Sequence, residues 1–304
     1  MKSRRAWRAN LVGLAFVSPW VAGFLLFTAG PMLASVVLSF TSWTMLSPPV
    51  WTGGENFRRL FTDDALFLIS LRNTALYVLL SIPASIAAGL GLALLLNRKL
   101  PGMGLFRTVF FLPSITNIVA VSLVWLWMFN PEFGLINSAL RWLGIDGPLW
   151  LQSERWAVPS LVLMSLWGVG GSMVIFIAAL QNVPRDLYEA AEIDGAGSFR
   201  RFVSITLPMI SPALFFTIVM GMIGGFQVFS QAFVMTGTAQ PGSEGGPNNA
   251  TLFMVLYLYK KAFQDFQMGY ASALAWILFF IILGLTMLQR KLSRRWVHYE
   301  GGGE

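Results

Sequence analysis

The sequence predicts an all-α integral membrane protein with six transmembrane helices. Of its 304 residues, 56% are hydrophobic and only 12% are charged, and the mean hydropathy is +0.65. Ordinary soluble domains carry about 25% charged residues. A buried core does not account for so large an apolar excess, which indicates that the solvent is lipid. The chain also contains six long stretches without charge, and each exceeds the roughly 20 residues that cross a bilayer.

These stretches define the six spans in order. The charge-free intervals are 9–54, 73–97, 108–131, 156–184, 202–243 and 266–289. The helices that we predict within them are 11–40, 73–97, 106–129, 157–180, 207–236 and 267–289. The first and fifth are longer than a bilayer requires, so we expect tilt, kinks or interfacial parts there. The spans form a membrane domain over residues 11–290, between an N-terminal tail at 1–10 and a C-terminal tail at 291–304.

The basic start of the chain, with Lys2, Arg4 and Arg5, is also compatible with a secretory signal. The apolar stretch that follows is longer than that of a signal peptide, and no clear small-x-small cleavage site follows it. We therefore interpret this segment as a retained first span.

The distribution of lysine and arginine predicts the orientation, because these residues are more frequent in cytoplasmic loops. With the N-terminus inside, the internal segments hold fourteen of them and the external segments seven. Both termini are therefore predicted to be cytoplasmic. With six spans, residues 181–206 also lie in the cytoplasm.

Several functions are disfavoured by what the sequence lacks. It has no cysteine and a single histidine, His298, so thiolate or histidine metal clusters and histidine-based catalytic triads are excluded. Proton relays and voltage sensors usually require charged residues within spans. No predicted span carries one in its interior, and Arg107 lies at the edge of the span at 106–129. No lysine follows a glycine, so a phosphate-binding G-K-[ST] loop is absent and any ATP must be bound by another chain. The net charge of +7 is better explained by basic loops at span ends than by nucleic-acid binding.

The segment from Glu189 to Pro212 differs from the rest of the chain because it is charged and lies between two apolar stretches. Residues 184–194 contain four acids and one arginine. Helices that lie on lipid headgroups favour basic faces, so this composition favours a protein partner over an amphipathic connector on the membrane. Gly195 is placed to end the first helix in the left-handed conformation. We expect a second helix from Ser198 to Pro208.

This segment resembles the EAA loop of binding-protein-dependent ABC importer permeases. The matching residues are Glu189-Ala190-Ala191, Asp194-Gly195-Ala196, Phe202, Ile205, Leu207-Pro208 and Pro212. Further motifs are similar to the sugar-transport branch of that family: Phe110-Phe111-Leu112-Pro113, Trp125 through Asn130-Pro131, Gly134-Leu135-Ile136-Asn137 and Gly269-Tyr270-Ala271-Ser272-Ala273. The resemblance covers roughly residues 10–290 and implies the fold of a type I ABC importer permease.

The resemblance also implies how such a protein would work. By this resemblance, two permease subunits, this chain and a paralogue, form a pore in a bacterial or archaeal cytoplasmic membrane. Two ATPase subunits bind ATP and Mg, so this chain holds no cofactor and is not itself an enzyme, and an extracytoplasmic binding protein delivers a sugar. The coupling helix at 186–197 would dock on the ATPase. Its expected coupling residues are Glu189, Ala190, Ala191, Asp194, Gly195 and Ala196. The loop at 237–247 contains an insertion relative to the family pattern, ahead of Gly245-Gly246-Pro247.

A sugar requires polar groups and an aromatic face beside irregular helix. Two glycine-rich segments meet this description, one in the fourth span and one in the fifth. The candidate pathway residues are Trp167, Gly168, Gly171, Ser172, Gly225 and Gln227. The alternative is that they serve helix packing, as small and polar residues often do in membranes. Gly89 and Gly91, and likewise Gly221 and Gly224, are interpreted as packing contacts.

Two other functions remain open from the sequence. A sodium-coupled secondary transporter needs no charge within its spans, but it leaves the acidic segment without a role. An ABC permease for a different solute, such as glycerol phosphate, would favour a positive residue in the pathway, where the sequence places none.

Overall fold

The computed structural model describes residues 2–98, 100–237 and 245–297. These residues fall into two compact units. The first comprises Met1–Asp64 and Leu258–Ile277, and the second comprises Ala65–Tyr257 and Leu278–Glu304. The predicted insertion at 237–247 lies mostly outside the described residues, as does His298.

The first nine helices alternate with short irregular turns. They are α1 (Lys2–Phe24), α2 (Gly30–Ser39), α3 (Glu55–Thr62), α4 (Ala65–Leu96), α5 (Met103–Phe111), α6 (Ile118–Met128), α7 (Leu135–Trp142), α8 (Glu154–Ser165) and α9 (Gly170–Gln181). A π-helical turn, Leu25–Ala29, joins α1 to α2. The 3-10 turns Leu112–Ile115 and Leu166–Gly168 follow α5 and α8, and a third, Trp150–Gln152, precedes α8.

Seven further helices follow. They are α10 (Arg185–Ile193), α11 (Ser198–Arg201), α12 (Leu207–Met209), α13 (Ser211–Phe226), α14 (Ser230–Gly237), α15 (Met254–Tyr259) and α16 (Met268–Ser293). The π-helical turns Phe202–Thr206 and Lys260–Gln264 extend α11 and α15, and a 3-10 turn spans Pro247–Asn249. The strands β1 (Thr41–Ser42) and β2 (Val50–Trp51) pair antiparallel.

Three of the predicted spans are helices long and apolar enough to cross a membrane: Val12–Ser39, Ala65–Leu96 and Met268–Ser293. They correspond to the predictions at 11–40, 73–97 and 267–289. The other three predictions, 106–129, 157–180 and 207–236, correspond to broken rather than continuous helices, and of these three the sequence led us to expect irregularity only at 207–236. Each is a bent pair in the structure, so the described residues contain six spans if each pair counts as one.

The bends have local causes. The α5–α6 pair turns by 97° at the 3-10 turn containing Pro113, after which the Asn117 side chain caps α6 by accepting from the Val119 amide at 2.9 Å. The α8–α9 pair bends by 51° at the 3-10 turn before Gly170. The α12–α13 pair bends by 66° at Ile210. Pro212 follows two residues later, and because proline has no amide hydrogen it cannot donate a hydrogen bond to the preceding turn.

The helix α4 begins eight residues before the predicted span, so Arg72 lies within it. Its 32 residues make a helix about 48 Å long, which exceeds the roughly 30 Å of the hydrocarbon core. Arg72 is exposed near one end, and a long basic side chain there can extend towards the headgroups. The earlier start is supported by buried Ser70 and Thr74, whose hydroxyls donate to the carbonyls of Phe67 and Ser70.

In the first unit, a close approach of two backbones holds the end of α2 against the start of α16. A Cβ at Gly269 would collide with the Thr41 carbonyl oxygen. The Met268 amide donates to the Trp43 carbonyl at 2.9 Å. Asn56 donates to the carbonyls of Ser39 and Thr41, each at 2.9 Å. Gly269 is therefore required by space at this position.

In the second unit, α4, α9 and the start of α13 share a buried cluster that includes Ala93, Met173, Phe176 and Ile210. Close packing between membrane helices depends on small residues. A Cβ at Gly89 would lie 2.5 Å from the Ser172 hydroxyl oxygen. This contact agrees with the packing role that the sequence suggested for Gly89.

Candidate functional site

The predicted coupling segment forms the helix α10, which follows the extended Pro184. Asp186 lies in the first turn, where a negative charge complements the positive end of the helix dipole. Of the four acids in this segment, Asp186, Glu189 and Glu192 lie in α10, and Asp194 follows at its C-terminal cap. The helix therefore presents a negative surface.

The turn after α10 confirms the predicted conformation of Gly195, which has φ +75°. The Ala196 amide donates to the Ala191 carbonyl at 2.9 Å, and the Gly195 amide donates to the Glu192 carbonyl at 3.0 Å. This is the Schellman arrangement, which satisfies carbonyls that a helix end leaves free. A Cβ at Gly195 would meet nothing within 4 Å, so the glycine is required by its backbone angle alone.

The predicted coupling residues lie along one exposed segment. Glu189, Ala190, Asp194 and Gly195 are exposed, whereas Ala191 and Ala196 are half-buried. Sequence reasoning missed two apolar members of this surface, Ile193 and Phe199, which are 88% and 80% exposed. Their signal was available, since each is a large apolar residue beside charged ones in a segment predicted to lie in water. We name this surface, residues 186–199, the α10 surface.

Two contacts hold α10 against the π-helical turn and helix that follow it. The Tyr188 hydroxyl and the Thr206 hydroxyl lie 2.8 Å apart in a hydrogen bond. Arg201 forms an ion pair with Glu192 at 3.3 Å. The Glu192 side chain is 69% exposed, so this pair contributes little. The Tyr188 contact is the better defined link.

A cavity of about 380 Å³ lies between α4, α8, α9, α13 and α14. Three of the predicted pathway residues line it: Gly168, Ser172 and Gly225. Further polar residues that the sequence reasoning missed line it too: Tyr77, Ser81, Ser85, Ser165, Thr217 and Gln231. The spacing of Tyr77, Ser81 and Ser85 is four residues, which places them on one face of α4. That periodicity was a usable signal for the cavity wall.

The other predicted pathway residues lie elsewhere. Trp167 lines a second cavity of about 200 Å³ with Gly168 and Gln231, and its ring contacts Trp125 edge-on at 6.2 Å. Gly171 and Gln227 line neither of these two cavities. The helix α13 ends at Phe226, so the side chain of Gln227 does not continue the helical face of Gly225.

Gln231 and Ser165 each line both of these cavities. The buried Tyr77 lines the first of these cavities together with Gln231 and Ser165. These groups can donate and accept hydrogen bonds to a hydroxylated ligand. Among the residues that the structure describes, no group of three or more His, Cys, Asp and Glu residues could hold a metal ion.

Bent apolar helices around a cavity lined in part by polar side chains, beside an exposed charged segment, define a multi-pass membrane protein of the transporter class. Residues 81–298 match the family described as binding-protein-dependent transport system inner membrane component. The chain belongs to this family. The membership agrees with the resemblance carried by the EAA loop and disfavours the sodium-coupled alternative.

Two curated relatives match over nearly their whole length. The probable ABC transporter permease protein YesP of Bacillus subtilis (strain 168) is 43% identical over 305 residues, which cover 100% of this chain and 97% of the relative. The lactose transport system permease protein LacF of Rhizobium radiobacter is 36% identical over 289 residues, which cover 93% and 94%.

A solved structure supports the fold. A chain from the crystal structure of a bacterial alginate ABC transporter, in complex with an alginate pentasaccharide-bound periplasmic protein, superposes with a TM-score of 0.81. The sequence identity is 23%, and 96% of each chain is covered. The fold is that of a type I ABC importer permease, as the sequence resemblance implied.

Proposed function

We propose that this chain is a permease subunit of an ATP-driven importer for a sugar. The observation that carries the proposal is the α10 surface, an acidic helix with exposed Ile193 and Phe199, within a chain of the inner membrane component family. The sugar assignment is supported by relatives such as LacF, whose name states lactose transport. In this proposal the chain performs no chemistry, and a separate ATPase binds ATP and Mg.

The coupling role is assigned to Glu189, Ala190, Ala191, Asp194, Gly195 and Ala196. Small alanines allow a partner groove to approach closely, and the exposed acids complement basic groups on that partner. The Tyr188–Thr206 hydrogen bond at 2.8 Å links α10 to the helix that leads towards the cavity. A displacement of α10 by the ATPase would then move α13, which lines the cavity.

The pathway role is assigned first to the cavity-lining Gly168, Ser172 and Gly225. Trp167, Gly171 and Gln227 remain candidates for other states of the transport cycle, because alternating access changes which side chains face the pathway. A second permease subunit, a paralogue of this chain, would complete the pore, and an extracytoplasmic binding protein would supply the sugar. Both termini and the α10 surface are placed in the cytoplasm, as the charge distribution predicts.

The decisive experiment on coupling uses the complete importer in proteoliposomes. Glu189→Lys reverses a charge on the α10 surface, and Arg200→Gln is the matched control on a neighbouring exposed position. We expect Glu189→Lys to abolish ATP-dependent uptake while membrane insertion stays normal, and Arg200→Gln to transport normally. Normal uptake by Glu189→Lys would overturn the coupling assignment. Recovery of an ATPase and a second permease with the chain in mild detergent tests the assembly independently.

The pathway assignment is tested by two glutamines. Gln231 lines both cavities and Gln227 lines neither. We expect Gln231→Ala to raise the sugar concentration needed for half-maximal uptake about tenfold, since a site loses a buried polar contact, without uncoupling ATP hydrolysis. Gln227→Ala is the comparison. An effect confined to Gln227→Ala would place the sugar outside this cavity.

A further inference from the structure

A third cleft, of about 820 Å³, lies between α10 and α11 and the neighbouring ends of α4, α5 and α9. Its wall combines apolar residues with basic and polar ones, and among the described residues no aspartate or glutamate lines it. Its basic and polar lining residues include Asn97, Arg107, Gln181, Arg185, Tyr188 and Arg201. The three arginines come from three different helices, α5, α10 and α11. They converge on one space although they are far apart in sequence.

Arg201 is the most informative of the three because its side chain is only 23% exposed. Its ion pair with Glu192 is 3.3 Å long, whereas strong charge-assisted hydrogen bonds measure about 2.7–2.9 Å. The Glu192 side chain is itself 69% exposed. A mostly buried guanidinium thus has a loose, solvated counter-ion, although burying a charge is costly unless it is closely paired.

Arg107 is held in a fixed orientation in the same wall. Its Nε and one terminal nitrogen donate to the Leu96 carbonyl at 3.1 and 2.9 Å. A carbonyl at the C-terminal end of a helix orients the guanidinium but does not neutralise its full charge. Arg185, the first residue of α10, adds a third and exposed positive charge. The planar donor fork of arginine matches the oxygens of phosphate groups.

We propose that this cleft binds a phosphate-bearing anion. The ligand chemistry is a phosphate monoester or diester, supplied either by an anionic lipid headgroup or by a soluble phosphate compound. The oxygens of the anion would accept hydrogen bonds from Arg185 and Arg201, and Arg107 would face the anion from α5. Asn97 and Gln181 would add uncharged hydrogen-bond donors. Since it would bridge α10 to the ends of three other helices, binding would restrain the α10 surface. This inference does not depend on the transported substrate or on the ATPase.

The test measures the thermal unfolding midpoint of the full chain by its tryptophan fluorescence. In neutral detergent, sodium phosphate and glycerol 3-phosphate are each titrated against sodium chloride at equal ionic strength. In a second arm, nanodiscs of phosphatidylcholine are compared with nanodiscs containing phosphatidylglycerol. We expect at least one phosphate source to raise the midpoint beyond the chloride control. A response to the soluble compounds assigns a free anion, and a response confined to phosphatidylglycerol assigns a headgroup.

The variants determine whether the response belongs to the cleft. We expect Arg201→Gln and Arg185→Gln each to weaken the response about tenfold or more, because each removes a charge-assisted contact. Arg185 is exposed, so Arg185→Gln carries the test if Arg201→Gln fails to fold. Arg200→Gln, outside the cleft, and Glu192→Gln, which removes only the counter-ion, should keep the full response. No response to any phosphate source, or equal responses from Arg185→Gln and Arg200→Gln, would overturn the proposal.

Discussion

The α10 surface and the bent helices around the cavity use glycine in opposite ways. At Gly195 the backbone needs φ +75° and there is open space around the position. At Gly170, the first residue of α9, a Cβ would collide with the backbone of Phe110 and Phe111. Gly195 is required because it can adopt a left-handed backbone conformation, and Gly170 is required because it has no Cβ. The first keeps an exposed segment in shape, and the second permits two bent helices to touch.

This difference indicates at which positions a substitution should destabilise each region. The α10 surface has few contacts within its own unit apart from the Tyr188 hydroxyl and the Glu192 ion pair. The stability of the fold should therefore change little on substitution of the α10 surface, except at the residues that form its turn. At Gly170 the bent helices are packed backbone against backbone, so even one methyl group at that position must displace main chain.

The largest expected effect is at Gly170. Gly170→Ala should destabilise the protein by about 3 kcal/mol, the upper part of the range for overpacking, because the clash is with backbone rather than a movable side chain. Gly171→Ala is the matched control, since a Cβ there meets nothing within 4 Å. Unfolding midpoints in detergent would compare the two. Equal midpoints would show that the backbone of Phe110 and Phe111 can shift to accommodate the added methyl group without loss of stability.

Gly195→Ala should have the next largest effect, about 1–2 kcal/mol, because an L-residue is strained in the left-handed region. Gly197→Ala provides the control, with φ −66° and open space. Hydrogen exchange of the Ala196 and Gly195 amides would detect opening of the turn. If both variants exchange like the unmodified protein, the turn does not depend on its glycine.

Tyr188→Phe should cost about 0.5–1.5 kcal/mol, the usual net value of one hydrogen bond. Thr206→Val removes the partner hydroxyl, and the double variant closes a mutant cycle. We expect the coupling energy of the cycle to be close to the free energy of unfolding lost in Tyr188→Phe or in Thr206→Val alone. Additive single effects would mean that the 2.8 Å contact does not hold α10 in solution.

The smallest effect is expected for Glu192→Gln, below about 0.5 kcal/mol and lower still at high salt, because exposed ion pairs are weak and screened. Unfolding midpoints at low and high ionic strength would measure it. A larger, salt-independent loss would place Glu192 among the structural determinants of the α10 surface.

The two regions also differ in how far the sequence could predict them. The end of α10 at Gly195 depends on local chemistry, so the pattern of acids, alanines and glycine was sufficient. The bend at Pro113 was missed because an apolar stretch satisfies the bilayer whether its helix is straight or broken. For the fifth span, the length indicated a kink or tilt but did not locate the bend at Ile210. The cavity was predicted only in part for a related reason. The break between α13 and α14 resets the helical phase, which brings Gln231 rather than Gln227 to the cavity wall.

The contact of Gly170 with Phe110 and Phe111 has a consequence for motion. The α5–α6 and α8–α9 bends would be independent joints if their helices were separated by side chains. Because the backbones approach closely at Gly170, a change in the angle of one pair would press on the other at this contact. Gly168 and Ser172, each two residues from Gly170, would be displaced by such a change.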